Sequence, residues 1–135
     1  KGPRLSIVNV GHRDLTLVRA AVEAVFDRDF GIEEVVERGM RAVVSDVKKR
    51  ARAAERVWLD IDLDVLDPGV LRAVGTPMPC GLSTQQLLEL LAALATPKLA
   101  GVSISEYSAA ADPDGAGRQL VVWLLEWLLL RRLGA

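Results

Sequence analysis

Apolar and polar positions follow one another along this chain in two patterns, one typical of strands and one typical of helices. Short runs that are rich in β-branched residues, or that alternate between apolar and polar residues, predict strands at 5–10, 56–64 and 99–105. Apolar residues at helical spacing predict helices at 15–26, 40–55 and 118–132. Because strands alternate with helices, the pattern predicts an α/β fold with a mainly parallel sheet.

Polar and helix-breaking residues set further boundaries. Asp14 stands at the N-cap position of the first helix, and that helix is expected to end near Gly31. Ser83 and Gln86 have the spacing of a capping box, which predicts another helix that ends before Pro97. Three segments lack a regular period: Ile32–Val36 is expected to be a short strand or turn, Val65–Pro79 a structured loop, and Asp112–Gly117 a turn.

The predicted helix at 118–132 is apolar on nearly every side. A helix at the surface of a small domain normally buries only one face. We therefore expect another part of the protein, or a neighbouring subunit, to pack against its outer face. Its most apolar stretch, Leu120–Leu130, is too short to cross a membrane and contains Glu126, so no membrane association is expected.

The composition is that of one folded domain. The chain has 135 residues, half of them apolar, and its 17 Lys and Arg nearly balance its 18 Asp and Glu. This balance argues against a disordered tail and against nucleic-acid binding, because the basic run at 50–56 is broken by Glu55. The single cysteine, Cys80, cannot form an internal disulfide, and with His12 as the only histidine it excludes a zinc finger. A cytoplasmic location is expected.

The candidate chemistry lies at the end of the predicted strand at 56–64. Asp60, Asp62 and Asp64 alternate with apolar residues, so we expect them on one face, about 6 to 7 Å apart, at the carboxyl end of a parallel strand. Like charges so placed repel one another unless a cation lies among them, and carboxylates suit Mg, Mn or Ca. The alternative is that these aspartates cap backbone amides and face water. An EF-hand is excluded because Val65 and Leu71 occupy its glycine and glutamate positions.

The sequence around this acidic strand resembles the ureohydrolase family, which includes arginase and agmatinase. The family signature is an apolar strand, a D-x-D, a D-P close behind, a small residue, and a glycine before a helix. The matching positions are Asp62, Asp64, Asp67, Pro68, Ala73 and Gly81, and the stretches Gly75-Thr76-Pro77 and Gly81-Leu82-Ser83 are also similar. Gly101–Tyr107 resembles the last strand of the family, which ends in a glutamate, here Glu106. Val8–Arg13 resembles the strand and turn that open the C-terminal half.

The resemblance implies a three-layer α/β/α arrangement with a mainly parallel sheet, as in arginase. It implies that Asp62 bridges two manganese ions, that Asp64 completes the coordination of one of them, and that a hydroxide lies between the metals. Glu106 would hold the guanidinium of a small substrate while the hydroxide attacks the guanidinium carbon. The products would be urea and an amine, from an arginine-like or agmatine-like compound, and a formimino compound is also compatible. The resemblance assigns no catalytic residue to this chain itself.

Several positions depart from the family. Its two other metal motifs, G-G-D-H and D-A-H-x-D, are absent, so the resemblance implies that residues 1–135 form the C-terminal half of the domain. The histidine ligands would come from a missing N-terminal half or from a neighbouring subunit, and a homo-oligomer is expected. His12 is expected at the surface or capping a helix. Asp60, Arg72 and Cys80 replace residues that are common in the family, and Cys80 is expected to be a small packed residue rather than a nucleophile.

Two other functions stay open from the sequence. A magnesium-dependent phosphatase of the haloacid dehalogenase type also begins with a D-x-D after an apolar strand. Asp62 would then be the nucleophile and Asp64 the acid or base, with Lys98 and the pair Asp112 and Asp114 as the remaining charged groups. The other alternative is a non-catalytic α/β module that retains the fold for assembly. The particular guanidine substrate does not follow from the sequence.

Overall fold

The computed structural model describes residues 5–13 and 18–134 of the chain. Its strands are β1 (Val8–Val10), β2 (Arg28–Phe30), β3 (Val57–Asp62) and β4 (Leu99–Ser105). Its α-helices are α1 (Arg19–Val25), α2 (Ile32–Arg38), α3 (Met40–Ala53), α4 (Thr84–Leu94) and α5 (Ala116–Leu133). Short 3₁₀ turns occupy Leu63–Val65 and Ala109–Ala111. Strands and helices therefore alternate, as the hydrophobic pattern predicts.

The strands form two parallel pairs. β1 pairs with β2, and β3 pairs with β4. In the second pair Asp62 lies opposite Ser105, so both strands end at the same edge. The turns after β1 and β3 are adjacent, since the guanidinium of Arg13 donates to the backbone carbonyl of Asp64. Parallel strands joined by helical crossovers define an α/β fold, which confirms the predicted class.

The core is built on one face of β3. Leu59 and Ile61 point into it from the strand, and Leu63 follows from the 3₁₀ turn. The helices cover this face with buried side chains from α3, α4 and α5, which are Val43, Val47, Leu87, Leu91, Leu124 and Leu128. The opposite face of β3 is exposed, and Trp58 keeps 68% of its surface open to solvent. Because parallel sheets normally bury both faces, a second layer is expected over this one.

Helices α3 and α4 confirm their sequence predictions. α3 lies within the predicted range 40–55 and buries Val43 completely. α4 follows Ser83, whose hydroxyl accepts the N–H of Gln86, while the side-chain oxygen of Gln86 accepts the N–H of Ser83. This capping box gives partners to N–H groups that a helix leaves free in its first turn.

The prediction for Ile32–Val36 is wrong, since these residues lie in helix α2 and not in a strand or turn. Glu33 and Glu34 stand in its first turn, where acidic side chains favour the positive end of the helix dipole. Val35 is the only residue of the helix that is buried in the core. A helix of two turns with one buried residue has no repeating apolar positions, so its helical periodicity cannot be recognised in the sequence.

The first βα unit is shorter than predicted. β1 covers only part of the predicted strand at 5–10, and the predicted helix at 15–26 is seen as α1, which ends at Val25 rather than near Gly31. The chain then forms β2, a strand that the sequence analysis missed, since a run of this length shows no alternation. The predicted N-cap Asp14 and residues 15–17 lie outside the described residues.

Helix α5 begins slightly before the predicted Arg118 and leaves much of its apolar surface uncovered. Its buried side chains are Leu124 and Leu128. The large apolar side chains that stay exposed are Val122, Trp123, Leu125, Leu129, Leu130 and Leu133. Across the described ranges, no helix combines the length and the apolar character needed to span a membrane.

Asp112 fixes the start of α5. Its Oδ1 accepts the N–H of Gly117 at 2.9 Å, and its Oδ2 accepts the N–H of Arg118 at 2.9 Å and the hydroxyl of Tyr107 at 2.7 Å. These bonds, first of all the one from Gly117, hold the pKa of Asp112 below its usual range. Because Tyr107 follows Glu106 directly, the same carboxylate ties α5 to the end of β4.

The lowered pKa of Asp112 predicts how stability depends on pH. An ionised Asp112 stabilises the fold above the pKa it has in the unfolded chain, and that contribution disappears as the pH falls through its folded pKa. Asp112→Asn is therefore expected to lower the free energy of unfolding at pH 7 and to approach the parent chain progressively as the pH falls below the ordinary pKa of an aspartate. Urea unfolding at pH 7, 4 and 3 measures this. Asp114→Asn is the matched control, since Asp114 accepts a single N–H through Oδ1, and an equal loss at all three pH values would contradict the prediction.

Candidate functional site

The acidic site lies where β3 turns into a 3₁₀ segment. Asp62 is the last residue of the strand, and its Oδ1 accepts the N–H of Asp64 at 3.2 Å. The prediction that Asp60, Asp62 and Asp64 share one strand face is therefore wrong for Asp64, which stands on the 3₁₀ turn. The alternative from the sequence is that these aspartates cap backbone amides. Oδ1 of Asp62 does so, by accepting the N–H of Asp64. The side chains of Asp62 and Asp64 also lie close enough to interact with each other.

Negative charge is concentrated at this turn. Partial burial raises the pKa of Asp62, and the neighbouring carboxylates of Asp64 and Asp60 raise it further, against the backbone hydrogen bond from Asp64 that lowers it. No lysine or arginine of the described residues forms an ion pair with Asp62 or Asp64. Hard oxygen donors with uncompensated charge suit a divalent cation. Over residues 5–13 and 18–134, however, no group of three His, Cys, Asp or Glu side chains is arranged to hold a metal.

Asp60 is anchored to the neighbouring strand. It accepts a hydrogen bond from the hydroxyl of Ser103 on β4, and that hydroxyl oxygen accepts the indole N–H of Trp58 at 3.1 Å. The three side chains cover the exposed face of the β3–β4 pair. These cross-strand hydrogen bonds cannot be predicted from the sequence, because only the strand register shows that Ser103 is a neighbour of Asp60.

Arg13 joins the turn after β1 to the acidic turn. Its Nη2 donates to the backbone carbonyls of Asp64 and of Met78, the latter at 3.2 Å. This guanidinium therefore holds the acidic turn and the loop at 65–79 together. Arg13 lies in a segment that resembles the family, but no role for it follows from the sequence, since its partners are backbone atoms more than fifty positions away.

His12 lies in the turn after β1, as predicted, and its side chain is half-buried, 18% exposed. Its Nδ1 lies 3.2 Å from Oδ2 of Asp29, and Asp29 also accepts the side-chain amide of Asn9 at 3.0 Å. The backbone carbonyl of His12 accepts the N–H of Ile32, the first residue of α2, at 2.8 Å. His12 therefore caps the start of this helix through its backbone and not through its imidazole.

Asp67 and Gly81 close the loop that follows the acidic turn. Asp67 accepts the N–H of Gly69 at 2.8 Å and that of Gly81 at 3.3 Å, while its own N–H donates to the carbonyl of Leu82 at 3.0 Å. A Cβ at Gly81 would collide with the backbone of Leu66 and Asp67. The glycine before α4 is thus required by this close approach, and Asp67 is a structural residue of the loop.

Cys80 is exposed, which corrects the expectation that it is packed. Its backbone has a φ of 64°, in the left-handed region that glycine adopts at low cost. This conformation favours glycine, the residue that the resemblance to the ureohydrolase family implies at this position. Arg72, which replaces a usual proline, is exposed, and nothing in the structure explains that substitution.

Glu106 lies at the same edge of the sheet as the acidic turn. It follows Ser105, the β4 residue that pairs with Asp62, and its side chain is exposed. Glu106 also has a left-handed φ of 64°. Non-glycine residues in that region are uncommon and cluster at functional sites. The site residues predicted from the sequence, Asp62, Asp64 and Glu106, are thus gathered at one edge by the strand register.

Comparison with known proteins gives consistent matches. A profile of the Arginase family matches residues 4–130. The chain is 32% identical over 82 residues to an agmatinase from Chromobacterium violaceum, covering 61% of this chain and 25% of that protein. It is 48% identical over 40 residues to an N(1)-aminopropylagmatine ureohydrolase from Thermus thermophilus, covering 30% of this chain and 14% of that protein. The solved agmatine ureohydrolase of Thermoplasma volcanium superposes with a TM-score of 0.78 at 29% identity, over 93% of this chain and 42% of that one.

The family profile covers nearly the whole chain, so the chain belongs to the arginase family. The structural likeness confirms an arginase-like α/β fold for the part of the domain that is present. The chain spans less than half the length of each of these relatives.

The left-handed backbone at Cys80 predicts a stabilising substitution. Cys80→Gly removes a strain of about 1–2 kcal/mol and adds about 0.5–1 kcal/mol of unfolded-state entropy. The free energy of unfolding is therefore expected to rise by about 0.5–1 kcal/mol, measured by urea unfolding. Cys80→Ser removes the thiol but keeps the strain, so it is expected to leave stability unchanged. A gain of equal size in both variants would contradict this explanation.

The raised pKa of Asp62 predicts that this residue lowers the stability of the metal-free chain. Its folded pKa lies above the unfolded one, so the ionised side chain disfavours the fold at pH 7 and protonation at lower pH favours it. Asp62→Asn keeps the Oδ1 acceptor for the N–H of Asp64 but removes the charge. With EDTA present, its melting temperature at pH 7 is expected to exceed that of the parent chain. Glu126→Gln, at an exposed carboxylate of α5, is the control and is expected to change nothing.

Proposed function

We propose that this chain carries part of the active site of a ureohydrolase, which cleaves a guanidino C–N bond of an arginine-like or agmatine-like substrate in a manganese-dependent reaction. The observation that carries the proposal is the strand register, which places Glu106 one residue beyond the partner of Asp62. Metal-binding carboxylates and an acceptor for a guanidinium therefore lie at one edge of the sheet. Membership of the arginase family supports this assignment.

Asp62 and Asp64 are the residues that would hold the metal ions. Their oxygens are the donors that manganese prefers. Partial burial, and after it the neighbouring carboxylates, raise the pKa of Asp62, and a bound cation would compensate the negative charge gathered there. A pair of bound divalent ions supplies a nucleophile at neutral pH by lowering the pKa of water. Arg13 positions Asp64 by binding its backbone carbonyl, and it leaves the carboxylate oxygens of Asp64 free for a ligand.

Glu106 is proposed to bind the substrate. An exposed carboxylate at the end of β4 can accept charge-assisted hydrogen bonds from a guanidinium, and these are stronger than bonds between neutral groups. The left-handed backbone ends the strand at Glu106, and its Oε2 lies beside Gly75. Glu106 would therefore orient the guanidinium carbon toward Asp62 and Asp64.

The remaining metal ligands are proposed to come from an N-terminal half of the domain or from a neighbouring subunit. The chain spans 42% of the Thermoplasma volcanium structure, so most of a complete family domain is not represented by it. The exposed β3 face, with Trp58, and the apolar surface of α5 are the places where such a partner would pack. A homo-oligomer is proposed on the same ground.

The phosphatase alternative is disfavoured by the position of Lys98. The Nζ of Lys98 donates to the carbonyl of Ala54 at 2.6 Å and to that of Arg52, at the end where β3 begins. The residues from Val57 to Asp62 span about 17 Å in a strand, so Lys98 lies far from the candidate nucleophile. Asp112 and Asp114, the acidic pair that this alternative needs, accept backbone N–H groups at the start of α5.

A calorimetric titration of this 135-residue chain with Mn(II) tests the metal site. Binding is expected, weaker than in a complete site because some ligands come from elsewhere, and Asp62→Asn is expected to abolish it. Glu126→Gln is the control for the loss of one negative charge. Unchanged binding by Asp62→Asn would overturn the assignment of this ligand.

The same chain joined to the N-terminal portion of the Thermoplasma volcanium relative tests the reaction. Manganese-dependent release of urea from agmatine or arginine is expected, and it should disappear with Asp62→Asn. Metal binding without urea release from a folded chimera would favour the non-catalytic assembly module.

A further inference from the structure

Residues 73–75, in the loop at 65–79, lie directly against the end of β4. Val74 and Tyr107 form an isolated antiparallel bridge, and the N–H of Ser108 donates to the carbonyl of Ala73 at 2.9 Å. The N–H of Gly75 donates to the carbonyl of Glu106 at 3.3 Å. Residues on both sides of Glu106 are thus held by backbone bonds, and Gly75 is fixed as its neighbour.

The carboxylate of Glu106 occupies the space that a side chain at position 75 would need. A Cβ built on Gly75 would lie 2.8 Å from Oε2 of Glu106, closer than non-bonded atoms can approach. Gly75 has no left-handed φ, so an alanine fits the backbone there without strain. Steric conflict at this position therefore falls on one group, the end of an exposed and flexible side chain.

We propose that Gly75 is a positioning residue for Glu106: its missing side chain lets the Glu106 carboxylate lie against the loop in the orientation that receives the guanidinium of the substrate. This inference rests on the proposed function, in which Glu106 binds the guanidinium. Two features favour this orientation. The backbone on both sides of Glu106 is held by hydrogen bonds to the segment 73–75, and the bare backbone of Gly75 leaves room for the carboxylate.

The effect of a substitution at Gly75 is expected on substrate binding and not on folding. In Gly75→Ala the carboxylate must turn away toward solvent, and the affinity for a guanidinium falls by about tenfold, the loss of roughly one charge-assisted hydrogen bond. The urea unfolding midpoint and the affinity for Mn(II) stay those of the parent chain. A residue that served the fold alone would change the midpoint and leave the guanidinium affinity alone.

Nuclear magnetic resonance of the labelled 135-residue chain, titrated with agmatine, tests the inference. In the ligand-free chain, contacts between the α-protons of Gly75 and the γ-protons of Glu106 are expected, and they weaken in Gly75→Ala. Agmatine binding weakens in Gly75→Ala and in Glu106→Ala. In the double variant, Gly75→Ala adds no further loss, because the carboxylate on which it acts is gone. Gly31→Ala is the matched control, since a Cβ there meets nothing closer than 3.4 Å.

The outcomes separate this inference from the proposed function. If Gly75→Ala binds agmatine like the parent chain while Glu106→Ala does not, the positioning role is overturned and the proposed role of Glu106 stands. If Glu106→Ala binds like the parent chain, or if the parent chain does not bind agmatine, the proposed role of Glu106 is overturned. In that case the contacts between the Gly75 α-protons and the Glu106 γ-protons are the remaining test. Contacts that are equally strong in the parent chain and in Gly75→Ala would overturn the positioning role of Gly75. A further loss from Gly75→Ala in the Glu106→Ala background would show that Gly75 acts by another route.

Discussion

The parallel register of β3 and β4 is the constraint on which the candidate site depends. Pairing of Asp62 with Ser105 makes both strands end together, so the turns that follow them leave the sheet at one edge. Backbone hydrogen bonds of the ladder hold this alignment, and Leu59 and Ile61 hold it from the core side. A slip by one residue would exchange these buried side chains with Asp60 and Asp62, so the burial of one face fixes the register.

The loop between Asp64 and α4 is held by side-chain hydrogen bonds to its backbone and by the burial of Leu66, Leu71 and Val74 in the core. Arg13 binds the carbonyls of Asp64 and Met78, and Asp67 binds the N–H groups of Gly69 and Gly81. Polar groups of the loop thereby find partners that a regular element would have supplied. The acidic turn is held in the same way, since Leu63 and Leu66 on either side of it are buried.

Strain and charge are concentrated where the function is proposed. The non-glycine residues with a left-handed backbone among those described are Cys80 and Glu106, which lie in the loop and at the end of β4. The pKa of Asp62 is raised at the same edge, first by partial burial and then by the neighbouring carboxylates, so the ionised side chain disfavours the metal-free fold. Stability and function therefore make opposite demands on this edge, as is common at active sites.

The sequence by itself determined the α/β class, most of the helices, the capping box at Ser83, and the candidate residues Asp62, Asp64 and Glu106. These features depend on local period, on caps and on motifs, which are present in neighbouring residues. It did not determine β2 and α2, because their short spans leave no period to detect. Tertiary structure alone decided that Asp64 lies beyond the strand and that Arg13 binds backbone carbonyls far along the chain. It also decided that the side chain of His12 is half-buried and that Gly75 lies against the carboxylate of Glu106. Each of these results depends on contacts between distant segments, which the strand register creates and no local pattern encodes.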